Sequence, residues 1–185
     1  MKNTYFTSYF PLLAIMLFCL SLSIRIEMTL LDFLKETGIY EGMREFLSDS
    51  GIRLSLLAGL FLLLFMVFAA LKLIADTVNE LSLLFFSKDL EGESLKEIRS
   101  GSLIYLIGGA LSILSIFSYA GIIGIFLLCS LIYFIFFVYK ISPSLSVAGT
   151  IGIVFFHVIF WAAFFTGVFY LGVKLYNSLI AGLPI

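Results

Sequence analysis

The stretch that decides the fold is residues 54–86, which read LSLLAGLFLLLFMVFAAL, then KLIADTVNE, then LSLLFF. Its first eighteen residues, 54–71, carry no charge, and about 20 apolar residues are enough to cross a bilayer as a helix. No Gly or Pro occurs from Leu60 to Glu91. Since those two residues are the common helix breakers, the stretch predicts one continuous transmembrane helix.

A polar stripe interrupts this helix. At 100° per residue, Lys72, Asp76, Asn79 and Glu80 fall within an arc of about 100° on one face. If the crossing ends near Ile74, the stripe lies at or beyond the membrane interface, and this shallow placement is the one we expect.

A deeper placement of the same helix stays open. If the crossing runs from about Gly59 to Phe85, then Lys72 and Asp76 lie near mid-membrane and can neutralise each other at i, i+4. Glu80 then supplies a second carboxylate one turn further on. Ionisable groups at that depth are typical of a proton or cation relay, so the depth of the stripe decides its interpretation.

The composition of the whole chain extends this reading. Of 185 residues, 62 % are hydrophobic and 12 % are charged, about half the usual charged share, and the mean hydropathy is +1.16. A polytopic membrane protein is indicated, with the lipid bilayer as its surroundings. A net charge of -1 without a basic patch argues against nucleic acid as a partner.

The predicted fold class is an all-α polytopic transmembrane bundle in one domain, residues 1–185. About five crossings are expected, together with one interfacial amphipathic helix at about 38–49, where Ile39, Met43, Phe46 and Leu47 keep helical spacing. The first crossing is a retained helix rather than a signal peptide, because Tyr5 and its aromatic neighbours resemble an interfacial belt. The crossings are expected at about 5–25, 54–80, 98–118, 122–140 and 147–173.

Small residues recur along the third crossing. Gly101, Gly108, Ser112 and Ser115 follow steps of seven, four and three residues, which places them on one helix face. Small residues at this spacing allow two helices to approach closely, so they are interpreted as a helix-packing seam.

Other candidate groups are few. His157, the only histidine, shares a face of the last crossing with Trp161 at i, i+4, and a single histidine cannot build a zinc site. Cys19 and Cys129 lie in apolar runs and are interpreted as buried thiols. No hydrolase, zinc-protease or phosphate-loop motif occurs, so no enzyme, metal or cofactor is predicted.

Several stretches resemble the YufK-type family of small integral membrane proteins of Bacillus and its relatives. They are residues 2–6 (KNTYF), 38–45 (GIYEGMRE), 70–80 (ALKLIADTVNE) and 155–157 (FFH). The resemblance implies a multi-pass protein of the bacterial plasma membrane. It implies no activity and no site residues.

Two functions follow as hypotheses. The first is a non-enzymatic protein that assembles as a homo-oligomer or with another membrane protein. The alternative is a small proton- or cation-coupled transporter, or a channel component, that uses the polar stripe. The Lys and Arg residues of the loops divide evenly between the two sides of the membrane. If Lys72 is counted with the side that holds the N-terminus, that side has the excess of positive charge, which favours a cytoplasmic N-terminus.

Overall fold

The computed structural model describes residues 8–89 and 92–182, and it is an all-α bundle. Seven helices follow in order: α1 Phe10–Glu36, α2 Ile39–Arg44, α3 Asp49–Phe86, α4 Glu93–Ile98, α5 Ser102–Leu114, α6 Tyr119–Ile141 and α7 Val147–Ala181. A 3₁₀ turn, Arg99–Gly101, joins α4 to α5, so the two form one rod. In the described residues, five segments are long and apolar enough to cross a membrane, which confirms the fold class.

The helices extend beyond the apolar runs from which they were predicted. α1 continues to Glu36 rather than ending near residue 25, and α7 continues to Ala181 rather than residue 173. Charged residues end a membrane crossing, but Lys, Glu and Arg are good helix formers and do not end the helix itself. The predicted start of α1 near residue 5, with Tyr5, lies outside the described residues.

Serine side chains cap the starts of α3, α6 and α7. The Ser48 hydroxyl accepts a hydrogen bond from the Gly51 amide at 3.2 Å, so α3 begins at Asp49. The Ser118 hydroxyl accepts from the Gly121 amide at 3.1 Å, so α6 begins at Tyr119. Each cap satisfies one of the free N–H groups in the first turn of its helix.

The segment predicted as an interfacial helix contains only a short helix, since α2 has six residues. Its buried residue is Tyr40, which packs with Leu31 of α1 and Ile52 of α3. The residues predicted for its membrane face, Ile39 and Phe46, are exposed in the isolated chain, with Phe46 at 85 %. The short helix thus uses Tyr40 as an anchor to the bundle and leaves those apolar side chains outward.

The packing of α1 against α5 is the closest in the bundle. The Ser21 and Ser112 hydroxyls are 2.8 Å apart, and both side chains are fully buried. A Cβ on Gly109 would lie 3.0 Å from the Leu17 side chain and 3.2 Å from the Ala14 carbonyl. Small residues therefore let the two backbones meet, which is the usual basis of helix association in membranes.

A polar tie joins three helices at one end of the bundle. Ser87, directly after α3, forms an isolated antiparallel bridge with Leu145, which lies between α6 and α7. The Lys88 amide donates to the Ser144 carbonyl at 3.1 Å, and the Ser87 hydroxyl donates to the Ser144 hydroxyl at 3.1 Å. This tie aligns the ends of α3, α6 and α7.

Candidate functional site

A cavity of about 800 Å³ lies between the helices and receives side chains from every crossing. Most of its wall is aliphatic or aromatic. Apart from Ser8, the polar and charged residues that line it come from α3, α5, α6, α7 and the turn before α5: Lys72, Asp76, Asn79, Glu80, Arg99, Ser102, Tyr105, Ser130, Tyr133 and His157. All four stripe residues predicted from the sequence thus face the same cavity as His157 and Trp161.

The depth of the stripe follows from the register of α3 against α6. The rings of Phe68 and Phe126 lie 5.3 Å apart, and Ser87 pairs with Leu145, so the two contacts share one offset of 58 residues. On that offset Lys72 is level with residue 130, which is the midpoint of Tyr119–Ile141.

The same register gives the depth of the other stripe residues. At 1.5 Å per residue, Asp76 lies about 6 Å from the middle of α6, and Glu80 lies about 12 Å from it. A hydrocarbon layer about 30 Å thick and centred on α6 would contain both residues. With the bilayer centred on α6, this register corresponds to the deeper of the two placements given above.

Lys72 and Asp76 form an ion pair one helical turn apart. The Lys72 ammonium contacts both carboxylate oxygens of Asp76. The two side chains are 39 % and 46 % exposed, and their exposed surface faces the cavity. The pair removes the cost of an isolated charge at this depth while leaving the carboxylate within reach of a cavity occupant.

Asn79 and His157 connect α3 to α7. The Asn79 side chain is 7 % exposed and the His157 side chain 4 % exposed, and Asn79 Oδ1 lies 3.1 Å from His157 Nε2. His157 Nδ1 is 3.0 Å from the Ile153 carbonyl, so Nδ1 must carry a proton. When the His157 ring is neutral, its Nε2 accepts a hydrogen bond from the Asn79 amide NH₂. When the ring is protonated, Nε2 donates a hydrogen bond to Asn79 Oδ1.

Asn79 can therefore form a hydrogen bond with His157 in either protonation state of the histidine. A rotation of the amide by half a turn exchanges its donor for its acceptor without moving a helix. The ring is packed among Phe134, Phe137 and Phe156, with ring centroids 5.2–5.9 Å away. Those rings offer no competing hydrogen bond to the ring nitrogens.

Tyrosines extend the polar surface around the ion pair. The Tyr133 hydroxyl lies near the Asp76 carboxylate and interacts with the Asn79 side chain. The Tyr105 hydroxyl donates to the Ser130 hydroxyl at 3.1 Å, and its ring lies 5.5 Å from that of Tyr133. A sequence of polar groups therefore runs from His157 through Asn79 and Tyr133 to Asp76.

Glu80 differs from its neighbours on the stripe. Its side chain is exposed and lines the cavity, and within residues 8–89 and 92–182 it forms no ion pair. It is therefore the carboxylate with the greatest freedom to meet a ligand. Across the same described ranges, no group of three metal-ligating side chains occurs.

The predicted packing seam lies partly within the chain itself. A Cβ on Gly101 would lie 2.8 Å from the Tyr133 ring, and a Cβ on Gly108 would overlap Cys129 Sγ. Ser112 bonds Ser21 as described above, whereas Ser115 lies at the C-terminal cap of α5. The residues at Gly101, Gly108 and Ser112 thus contact α1 and α6 of the same molecule.

Sequence reasoning missed the aromatic and hydroxyl groups of α6. Ser130 and Tyr133 lie in an uncharged run of 39 residues, where a serine or tyrosine gives no periodic signal. Arg99, which begins the turn before α5, and Tyr105 of α5 were also not selected, although both line the cavity.

Comparisons with known proteins give the chain its relatives. A family model described as a family of unknown function (DUF5366) matches residues 27–184. The chain belongs to this family. It is 49 % identical, over the full length of both proteins, to the uncharacterized membrane protein YufK of Bacillus subtilis (strain 168).

Membership of this family bears out the resemblance noted in the sequence. Both comparisons describe relatives without an assigned activity, and together with the five apolar helices they establish a membrane protein. No solved structure matches this member of the family. Any functional conclusion therefore depends on the residues of the cavity.

Proposed function

We propose that this protein is a small proton- or cation-coupled transporter, or a component of one, in the bacterial plasma membrane with a cytoplasmic N-terminus. The observation that carries the proposal is the shared cavity, which is lined by Lys72, Asp76, Asn79, Glu80 and His157. Ionisable side chains are costly inside a bilayer, and those that face an internal cavity typically mark a pathway.

The polar groups suit stepwise proton movement. Asp76 can release Lys72 on protonation, because a neutral carboxyl no longer attracts the ammonium group. The Asn79 side chain can serve both protonation states of His157, as its amide offers a donor and an acceptor. Tyr133 lines the same cavity as these two titratable sites, and its hydroxyl can both donate and accept a proton.

The test uses the full chain in proteoliposomes with a pH-sensitive dye inside. A pH gradient or a gradient of K⁺ or Na⁺ should produce a dye response in wild type, and Asp76→Asn should abolish it. Asp32→Asn is the matched control, since Asp32 is exposed on α1 and does not line this cavity. Circular dichroism and gel filtration establish that each variant is folded.

Two results would contradict the proposal. One is an absence of any ion movement in wild type across protons, K⁺ and Na⁺. The other is equal flux in the wild type and the Asp76→Asn variant, which would exclude the stripe as the pathway. Glu80→Gln provides a second variant if Asp76→Asn does not fold.

A second candidate function, assembly with another membrane protein or a second copy, is favoured by the end of α7. Every side chain from Thr166 to Gly182 is exposed in the isolated chain, and Phe169 is 73 % exposed. An oxidant should crosslink Phe169→Cys in native membranes, while Leu84→Cys on α3, at 75 % exposure, should not. Equal crosslinking at both positions would indicate random collision rather than assembly.

A further inference from the structure

The size of the cavity exceeds what a proton or an inorganic cation requires. Sites that enclose small organic molecules commonly measure about 300–1,000 Å³, and this one measures about 800 Å³. We infer that the cavity binds a monovalent organic cation with an apolar, aromatic body. The inference rests on the proposed transport function and names its class of substrate.

Aromatic rings form much of the cavity wall. They come from all five crossings and include Phe18, Phe68, Tyr105, Phe126, Tyr133 and Trp161. Phe18, Phe68 and Phe126 form a compact cluster with centroid distances of 5.3–6.3 Å, and Tyr105 lies 6.1 Å from Phe126. Ring faces carry partial negative charge, so a wall of this kind attracts cations as well as apolar groups.

The charged residues alone do not decide the sign of the ligand. Lys72 and Arg99 balance Asp76 and Glu80 in number, and the Lys72 ammonium is held by Asp76. Because the positive and negative side chains that line the cavity are equal in number, the aromatic rings decide the electrostatic preference, which is for a cation. Glu80, which has no ion pair in the described part of the chain, supplies the counter-ion.

Two probe ions of the same size and opposite charge test this inference. Tetraphenylphosphonium and tetraphenylborate each carry four phenyl rings, so they differ mainly in sign. Binding to the purified full chain in a non-ionic detergent is measured by equilibrium dialysis, and uptake by empty micelles is subtracted. Tetraphenylphosphonium should bind one saturable site at least about tenfold more tightly than tetraphenylborate, a difference that dialysis resolves readily.

The single tryptophan reports where the probe binds. Trp161 is the only tryptophan in the chain, and it lines the cavity. Its emission should therefore change along the same saturation curve as the dialysis. Trp161→Phe should abolish the emission change, which assigns that signal to the cavity residue Trp161.

A matched pair of variants tests the counter-ion. Glu80→Gln should lower the affinity for tetraphenylphosphonium by about tenfold, the effect of losing one close charge pair that is partly shielded from water. Glu45→Gln makes the same chemical change at an exposed position after α2, away from the cavity, and should leave the affinity unchanged.

Three results would overturn the inference: stronger binding of tetraphenylborate, no saturable binding of either ion, or equal affinities of the Glu80→Gln and Glu45→Gln variants. Because dialysis involves no ion gradient, its result is independent of the flux assay. Saturable, Glu80-dependent binding without any flux would support the cation site and refute transport. Flux without such binding would support transport and refute the organic substrate.

Discussion

The hydrogen bond between Asn79 and His157 can be tested by a double-mutant cycle. Asn79→Leu removes the partner of Nε2 and leaves that nitrogen among aromatic rings, which should cost about 1–3 kcal/mol of stability. His157→Phe leaves the Asn79 amide without its partner on α7, at a similar cost. In the double variant both polar groups are absent, so its loss of stability should be smaller than the sum of the losses in the two single variants.

The size of the coupling follows from the burial of the pair and its 3.1 Å separation. Hydrogen bonds between helices in membrane proteins average about 0.6 kcal/mol, with a maximum near 1.7 kcal/mol. Since both groups here are more than nine-tenths buried, we expect a coupling of about 1 kcal/mol.

Unfolding in mixed micelles with increasing dodecyl sulfate measures these free energies, with the emission of Trp161 as the probe. The control replaces Asn79→Leu with Thr77→Val, because the Thr77 hydroxyl bonds only the Leu73 carbonyl of its own helix. That control pair should be additive with His157→Phe. A coupling below about 0.3 kcal/mol for Asn79 and His157 would show that their contact adds nothing to the bundle.

Three further predictions concern the packing of the bundle. Gly108→Ala should destabilise the protein by about 1–3 kcal/mol, because the new Cβ overlaps Cys129 Sγ. Adding Cys129→Ala should restore most of this stability, since the atoms nearest to the new Cβ then lie 3.4–3.5 Å away. Equal stability of the double variant and the Gly108→Ala variant in thermal unfolding would refute the clash. Burial and the hydrogen bond to Asp49 raise the pKa of Tyr40 in the folded protein. Stability should therefore fall as pH rises above about 10, where the tyrosine of the unfolded chain ionises more readily. Denaturation measured across pH should show a smaller fall for Tyr40→Phe. Cys19 and Cys129 are both buried, so a maleimide should label them only after unfolding, and rapid labelling of the folded protein, followed by mass spectrometry, would contradict this packing.

The existence of the helices and the composition of the stripe were predictable because each depends on local sequence. The spacing of Lys72, Asp76 and Glu80 follows from 3.6 residues per turn, whatever surrounds the helix. Their depth does not follow, since the apolar runs on either side allow a shift of several residues along the membrane normal. Contacts between helices define the register, among them those of Phe68 with Phe126 and of Ser87 with Leu145.

The partners of the stripe were not predictable for a different reason. His157 and Asn79 are 78 residues apart in the chain, and no periodicity relates two helices that are separated by others. His157 was noticed because it is the only histidine in the chain. Tyr133 lies equally close to the stripe but is a common residue in membrane helices, so its type alone gave no reason to select it.

The bond between Ser21 and Ser112 has a consequence for the synthesis of the protein. The two residues are 91 positions apart, so at about 5–20 residues per second the ribosome needs about 5–20 s to deliver α5 after α1 has been made. During that interval the Ser21 hydroxyl can donate to the Leu17 carbonyl of its own helix, 2.9 Å away. The newly made α1 can thus remain in the lipid with the Ser21 hydroxyl hydrogen-bonded until α5 brings Ser112 into the membrane.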